Sequence, residues 1–132
     1  RPAVGALMRP HRNSRGAVTF ELVVLMPVLL AISLGGVHAA LLFHARTIAA
    51  AAAQNGAREA AAEDGSLGGG IATATAFTRA AGETTLSNVQ VDGDRSQTSV
   101  TITVHASSIS LVPGLPTDAT SSATLPVERL TR

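Results

Sequence analysis

The chain has 132 residues, room for one small domain plus an additional helix, and 45% of them are hydrophobic although Trp and Tyr are absent and only three Phe occur. It contains no cysteine, which excludes disulfides, thiolate catalysis and Cys-based zinc sites. The formal net charge of +1 conceals an asymmetry: residues 1–16 hold Arg1, Arg9, Arg12 and Arg15 and no acid, whereas the rest hold six Arg against nine acidic residues. A basic head on an acidic remainder argues against nucleic-acid binding, which requires a basic face on the folded part. The first residue is Arg rather than Met, consistent with a start upstream of Arg1.

After the basic head, 22 residues from Leu22 to Phe43 carry no formal charge. At about 1.5 Å per residue a helix of that length covers roughly 33 Å, the thickness of a bilayer's hydrocarbon core. The alternative is a buried core helix, but the remaining sequence has too little apolar bulk to wrap a helix that is apolar on every face. A single-pass transmembrane segment is therefore expected at 22–43. Four arginines before it and Glu59, Glu63 and Asp64 after it predict a cytoplasmic N-terminus and an extracytoplasmic C-terminus. Pro27 has no backbone N–H to donate and is expected to kink the helix. Gly35 and Gly36, each followed four residues later by Ala39 or Ala40, form small-xxx-small spacings suited to helix packing. His38 reads as an interfacial or hydrogen-bonded histidine rather than a ligand.

The helical pattern continues beyond Phe43. Residues 45–62 are nearly all helix formers, and Ala45, Ala49, Ala53, Ala57 and Ala61 recur every fourth position as a narrow, smooth face. One helix is thus predicted over 17–62, ended by Asp64-Gly65-Ser66-Leu67-Gly68-Gly69-Gly70, which is expected to act as a flexible joint.

The remainder, 63–132, predicts a small extracellular domain. A short helix is expected over Ile71–Ala81, then a segment with Leu86, Val89 and Val91, then a turn at Asp92-Gly93-Asp94-Arg95. Ser99–Ala106 alternates strictly, with Val100, Ile102, Val104 and Ala106 on one face and Thr101, Thr103 and His105 on the other. A third strand is predicted over Ala119–Val127, separated from the second by a long turn at Val112-Pro113-Gly114-Leu115-Pro116. The fold class is α+β, a long helix carrying a small antiparallel sheet, and a domain of this size is marginal by itself. Asp92, Asp94 and Gln97 miss the spacing of a calcium loop and read as a solvated turn. No metal site and no cofactor are expected. Nucleophile elbow, phosphate loop and HExxH motifs are absent from the sequence, so the expectation is a protein that is not an enzyme.

The junction between basic head and apolar run reads Arg15-Gly16-Ala17-Val18-Thr19-Phe20-Glu21-Leu22. A carboxylate at the edge of a membrane helix is costly unless something compensates it. The motif resembles that of type IV prepilins: a basic leader ending in Gly, four apolar residues, a Glu and a long apolar helix. More closely, the junction, the alanine-rich helix ending Asn55 to Ala61, and the closing strands with their Pro-Gly linker are similar to the TadE-like family of tight-adherence (Tad) pilus pseudopilins. The resemblance covers residues 9 to about 128. Leu22 departs from it, since many members carry an aromatic residue after the Glu.

The resemblance implies cleavage of the 1–16 leader between Gly16 and Ala17 by a prepilin peptidase, with the freed α-amine of one subunit pairing with Glu21 of a neighbour. Glu21 also falls in the first turn of the shortened helix, where the macrodipole favours a negative charge. It implies a minor pseudopilin of the plasma (inner) membrane that primes assembly of the major Flp-type pilin with other minor pseudopilins. The further implied partners are a secretion ATPase and a platform membrane protein. Two other readings stay open. A conventional signal peptide cut after Val37-His38-Ala39 would release a secreted binding protein, and an uncut chain would be a permanently anchored surface protein.

Overall fold

The computed structural model describes Gly5 and residues 14–129, so Arg1, Arg9 and Arg12 of the basic leader lie outside the described residues. Helix α1 runs over Ser14–Ala61, helix α2 over Leu67–Gly82, and strands β1, β2 and β3 over Leu86–Arg95, Ser99–Ser108 and Asp118–Pro126. The strands form one antiparallel sheet in the order β1-β2-β3. The expected α+β arrangement of a long N-terminal helix and a small sheet is what the chain adopts. Two compact units divide at Ser33/Leu34.

In the first unit α1 stands without internal cover: every residue from Arg15 to Ser33 is exposed, Phe20 to 73%. Helical hydrogen bonding persists through Pro27. The hydroxyls of Thr19 and Ser33 donate back to the carbonyls of Arg15 and Leu29, each at 2.8 Å, which satisfies these polar groups within the helix.

The second unit is built on the alanine face of α1. Ala45, Ala49, Ala53, Ala57 and Ala61 are buried as their four-residue spacing predicts, joined by Ile48, Ala52 and Ala60. Against them pack Val100, Ile102 and Val104, the inward residues of the central strand β2, and Ala74 of α2. Burying an isoleucine or valine of this kind contributes about 1.5–3 kcal/mol, so three β-branched side chains carry much of what holds the domain.

Two local expectations are corrected. The flexible joint at 64–70 is shorter, because Leu67 to Gly70 form the first turn of α2. Ser66 is its N-cap, its Oγ accepting from the Gly69 N–H at 3.0 Å, and this cap offsets the poor helix propensity of three consecutive glycines. Gly70 is also held by packing: a Cβ there would lie 2.6 Å from the Ala60 Cβ and from the Gly56 carbonyl oxygen, so α1 and α2 touch backbone to backbone.

The segment Asp92-Gly93-Asp94-Arg95 is strand, not turn, and the turn falls at Ser96–Thr98. Gly93 pairs with Ile102 on the inward face, where an added Cβ would meet Leu67 at 2.7 Å and Ile102 at 2.9 Å. Glycine here marks close helix-on-strand packing, whereas in isolation Asp-Gly-Asp looks like a reverse turn. Earlier in β1 a bulge between Ser87 and Gln90, with Asn88 at φ 52°, resets the alternation so that Val91 and Gly93 face inward.

Replacing Gly56 by Ala pushes a Cβ to 2.6 Å from the rigid Gly70 carbonyl oxygen and 2.9 Å from the Ala74 Cβ. Overpacking of this kind is expected to lower stability by about 1–3 kcal/mol despite alanine's better helix propensity. Urea unfolding of the full chain in detergent micelles measures it; an unchanged midpoint would mean that the two helices are not in backbone contact.

Candidate functional site: the amino-terminal junction and its helix

Gly16, Ala17 and Glu21 all lie on the first two turns of α1 and are exposed. The helix starts at Ser14, three residues before the expected start at 17, so the Gly16–Ala17 bond lies within its first turn. Glu21 lines a shallow, almost wholly apolar groove with Phe20, Val24, Leu25 and Val28. Among the described residues Glu21 has no hydrogen-bond or ion-pair partner. An ionised carboxylate on an apolar helix is tolerable beside water, but in a lipid or protein environment it requires a cation or a proton.

The surface that follows is continuous apolar area. Val23, Met26, Pro27, Leu29, Leu30 and Ser33 line a second open groove, at the point where Pro27 removes one backbone donor. Large exposed apolar surface of this extent requires lipid or another protein to cover it. The described residues hold this one helix long and apolar enough to cross a membrane, and it is compatible with a membrane anchor. Gly35 and Gly36 have nothing within 4 Å of the place a Cβ would occupy, and Ala39 and Ala40 are exposed. The small-residue stripe is therefore not used for packing among the described residues.

His38 behaves differently from its neighbours. It is only 3% exposed, although it sits inside the charge-free run. Its Nδ1 accepts from the Leu111 N–H at 3.4 Å, which puts the ring proton on Nε2, and Nε2 donates to the Pro116 carbonyl oxygen at 3.1 Å. The histidine is thus hydrogen-bonded on both ring nitrogens and pins the β2–β3 connection, residues 109–117, to α1. Its own sequence context contained no sign of these partners, which lie more than seventy residues away.

At the other end of the sheet the polar groups gather. Arg95 donates to the Gly65 carbonyl and Arg129 to the Gln97 carbonyl, while the Glu128 N–H caps the Ala61 carbonyl at 2.9 Å. Asp92 and Asp94 lie on the outer face of β1, where Asp92 meets His105 at 3.5 Å across the strands.

A helix bearing a junction carboxylate and an uncovered apolar surface, joined in sequence to a small α+β domain, is the arrangement of a protein compatible with a single membrane anchor. Comparison with protein-family models matches residues 16–58 to the family described as TadE-like protein. That segment opens at Gly16 and, over residues 16–58, bears out the family resemblance read from the sequence. Comparisons with curated proteins and with solved structures return no match.

Replacing His38 by Ala leaves the Leu111 N–H and the Pro116 carbonyl without their partner, at an expected cost of about 1–3 kcal/mol. Amide hydrogen exchange at Leu111 should accelerate with it. Exchange as slow as in the unsubstituted chain would show that the histidine does not hold the loop.

Proposed function

We propose that this chain is a minor pseudopilin of a Tad/Flp type IV-like pilus that acts in pilus assembly and initiation and is not an enzyme. It is held in the plasma membrane by residues 22–43, with the N-terminus cytoplasmic and the domain outside. A prepilin peptidase cuts between Gly16 and Ala17, and the new α-amine of one subunit pairs with Glu21 of the next as their helices bundle. Partners in this reading are the major Flp-type pilin, other minor pseudopilins, the secretion ATPase and the platform protein.

The observation that carries the reading is the Glu21 carboxylate on an otherwise apolar, uncovered helix, five residues after Gly16, inside the segment that matches the family. Without a neighbour's cation that carboxylate has no role at a lipid-facing position; with one it supplies both register and attraction. The rival cut after Ala39 is disfavoured, because it removes His38, which the folded domain uses to hold its own loop.

N-terminal sequencing and intact mass of the protein recovered from membranes of its native host are expected to give a chain that starts at Ala17. A start at Ala40 would point to a secreted protein, and an uncut chain to a plain anchor. Gly16→Ala is expected to leave the longer, unprocessed form, so product of normal length from that variant would refute the cleavage site. Glu21→Val is expected to spare membrane insertion and impair incorporation into pili; full piliation in that strain would remove the charge-pairing role.

A further inference from the structure

The two ends of the sheet differ in chemistry. The end formed by the β1–β2 turn is polar and charged, with Glu63, Arg95, Gln97, Glu128 and Arg129 around it. The opposite end is the β2–β3 connection, ISLVPGLPT over 109–117, which has no charged residue. Its turn is tight and well defined: the Leu115 N–H reaches the Val112 carbonyl at 3.4 Å, with Pro113 at the first central position and Gly114 at φ 86° at the second. That is the residue order a type II turn requires, and a side chain at Gly114 would be strained. On this loop Ile109, Leu111 and Leu115 are 42%, 41% and 43% exposed. Three bulky aliphatic groups therefore face outward on a loop too short to fold them away.

The height of this loop along α1 is set by His38, whose two ring nitrogens bond it at Leu111 and Pro116. The first formal charge after His38 on the helix is Arg46, eight residues or about 12 Å further along the axis. Between them Phe43 is exposed, and just before His38 so is Val37. The loop is thus tied to the helix about two turns inside its charge-free run, and the residues it presents there are apolar.

We propose that the 109–117 loop is a second membrane contact, which seats Ile109, Leu111 and Leu115 in the headgroup and upper acyl region of the outer leaflet while the protein is anchored. The proposal rests on the membrane placement of 22–43. Lipid is the occupant that fits: the loop shares its depth with a helix segment that lacks charge, and residues 109–117 carry none themselves, the next charge along the chain being Asp118 at the start of β3. His38 then has a physical reason to be doubly hydrogen-bonded, since it closes the polar backbone atoms of Leu111 and Pro116 where water is scarce. Interfacial insertion of a few aliphatic side chains adds weak, reversible attachment, suited to a domain that orients on the membrane and is later released from it.

The absence of cysteine makes a direct test simple. Full-length Leu111→Cys, Leu115→Cys, Val28→Cys and Gln97→Cys are each labelled with an environment-sensitive fluorophore. They are then reconstituted in vesicles of phosphatidylethanolamine and phosphatidylglycerol, with or without lipids that carry a nitroxide quencher near the headgroup or deep in the chain. The expected result is loss of fluorescence at Leu111 and Leu115 with the shallow quencher, at Val28 with the deep one, and none at Gln97. Water-exposed labels at both leucines with Val28 quenched would overturn the proposal and leave the anchor standing. If Val28 also escapes quenching, the anchor falls and the proposal with it. Blue-shifted emission at the leucines without quenching would mean that protein, not lipid, covers the loop, and quenching at Gln97 would mean that the domain lies flat; either result overturns the proposal.

Discussion

The smallness of one helix face is the constraint on which this domain depends. With alanine at nearly every inward position from Ala45 to Ala61, α1 presents a surface shallow enough for β2 and α2 to reach its backbone. Gly56 and Gly70 extend the same logic to direct contact between helices. The core then consists of Val100, Ile102, Val104 and a bed of methyl groups, with Phe77 at its margin. A domain assembled this way gains little from any single side chain and is sensitive to added volume, because alanine and glycine offer no alternative rotamers into which a misfit can relax.

The same helix has a contrasting chemistry before the domain begins. Its residues from Leu22 to Ser33 are exposed and mostly large and apolar, and the one carboxylate beside them, Glu21, has no partner among the described residues. Large aliphatic groups suit lipid or the interior of a helical bundle, whereas small ones suit intimate packing within a chain. The switch from leucine and valine to alanine along α1 thus separates surface destined for external cover from surface covered internally. His38 falls near that switch and belongs to the domain, as its two long-range hydrogen bonds show.

The sheet adds direction to the domain. Its outer face is dominated by hydroxyls, with Thr101 and Thr124 in contact at 2.8 Å and His105 bridged to Thr120 at 3.3 Å. Its ends differ in character, one with arginines and glutamates and the other with an uncharged proline-glycine turn framed by leucines and followed by Asp118 at the start of β3. The Glu128 N–H on the Ala61 carbonyl and the His38 bonds to the 109–117 loop fasten the sheet to α1 at both ends. The register of helix and sheet is therefore held by polar contacts, while the attraction between them comes from apolar burial.

Much of this was legible in the sequence. The charge-free run, the four-residue alanine period, the strict alternation of Ser99–Ala106 and the Gly16/Glu21 junction are local patterns, and local patterns determine helix, strand and segment boundaries through period and charge alone. What the sequence did not determine is where local preference yields to distant contact. Asp92-Gly93-Asp94 reads as a turn until Leu67 and Ile102 are seen to occupy the space above Gly93, and three glycines read as a joint until Ser66 caps them and Gly56 packs on Gly70. His38 reads from the sequence as an interfacial or hydrogen-bonded histidine, but its partners at Leu111 and Pro116 left no local signal. Each of these depends on atoms brought close by the tertiary fold, because glycine gains its structural meaning from what approaches it and a histidine from the groups it bonds.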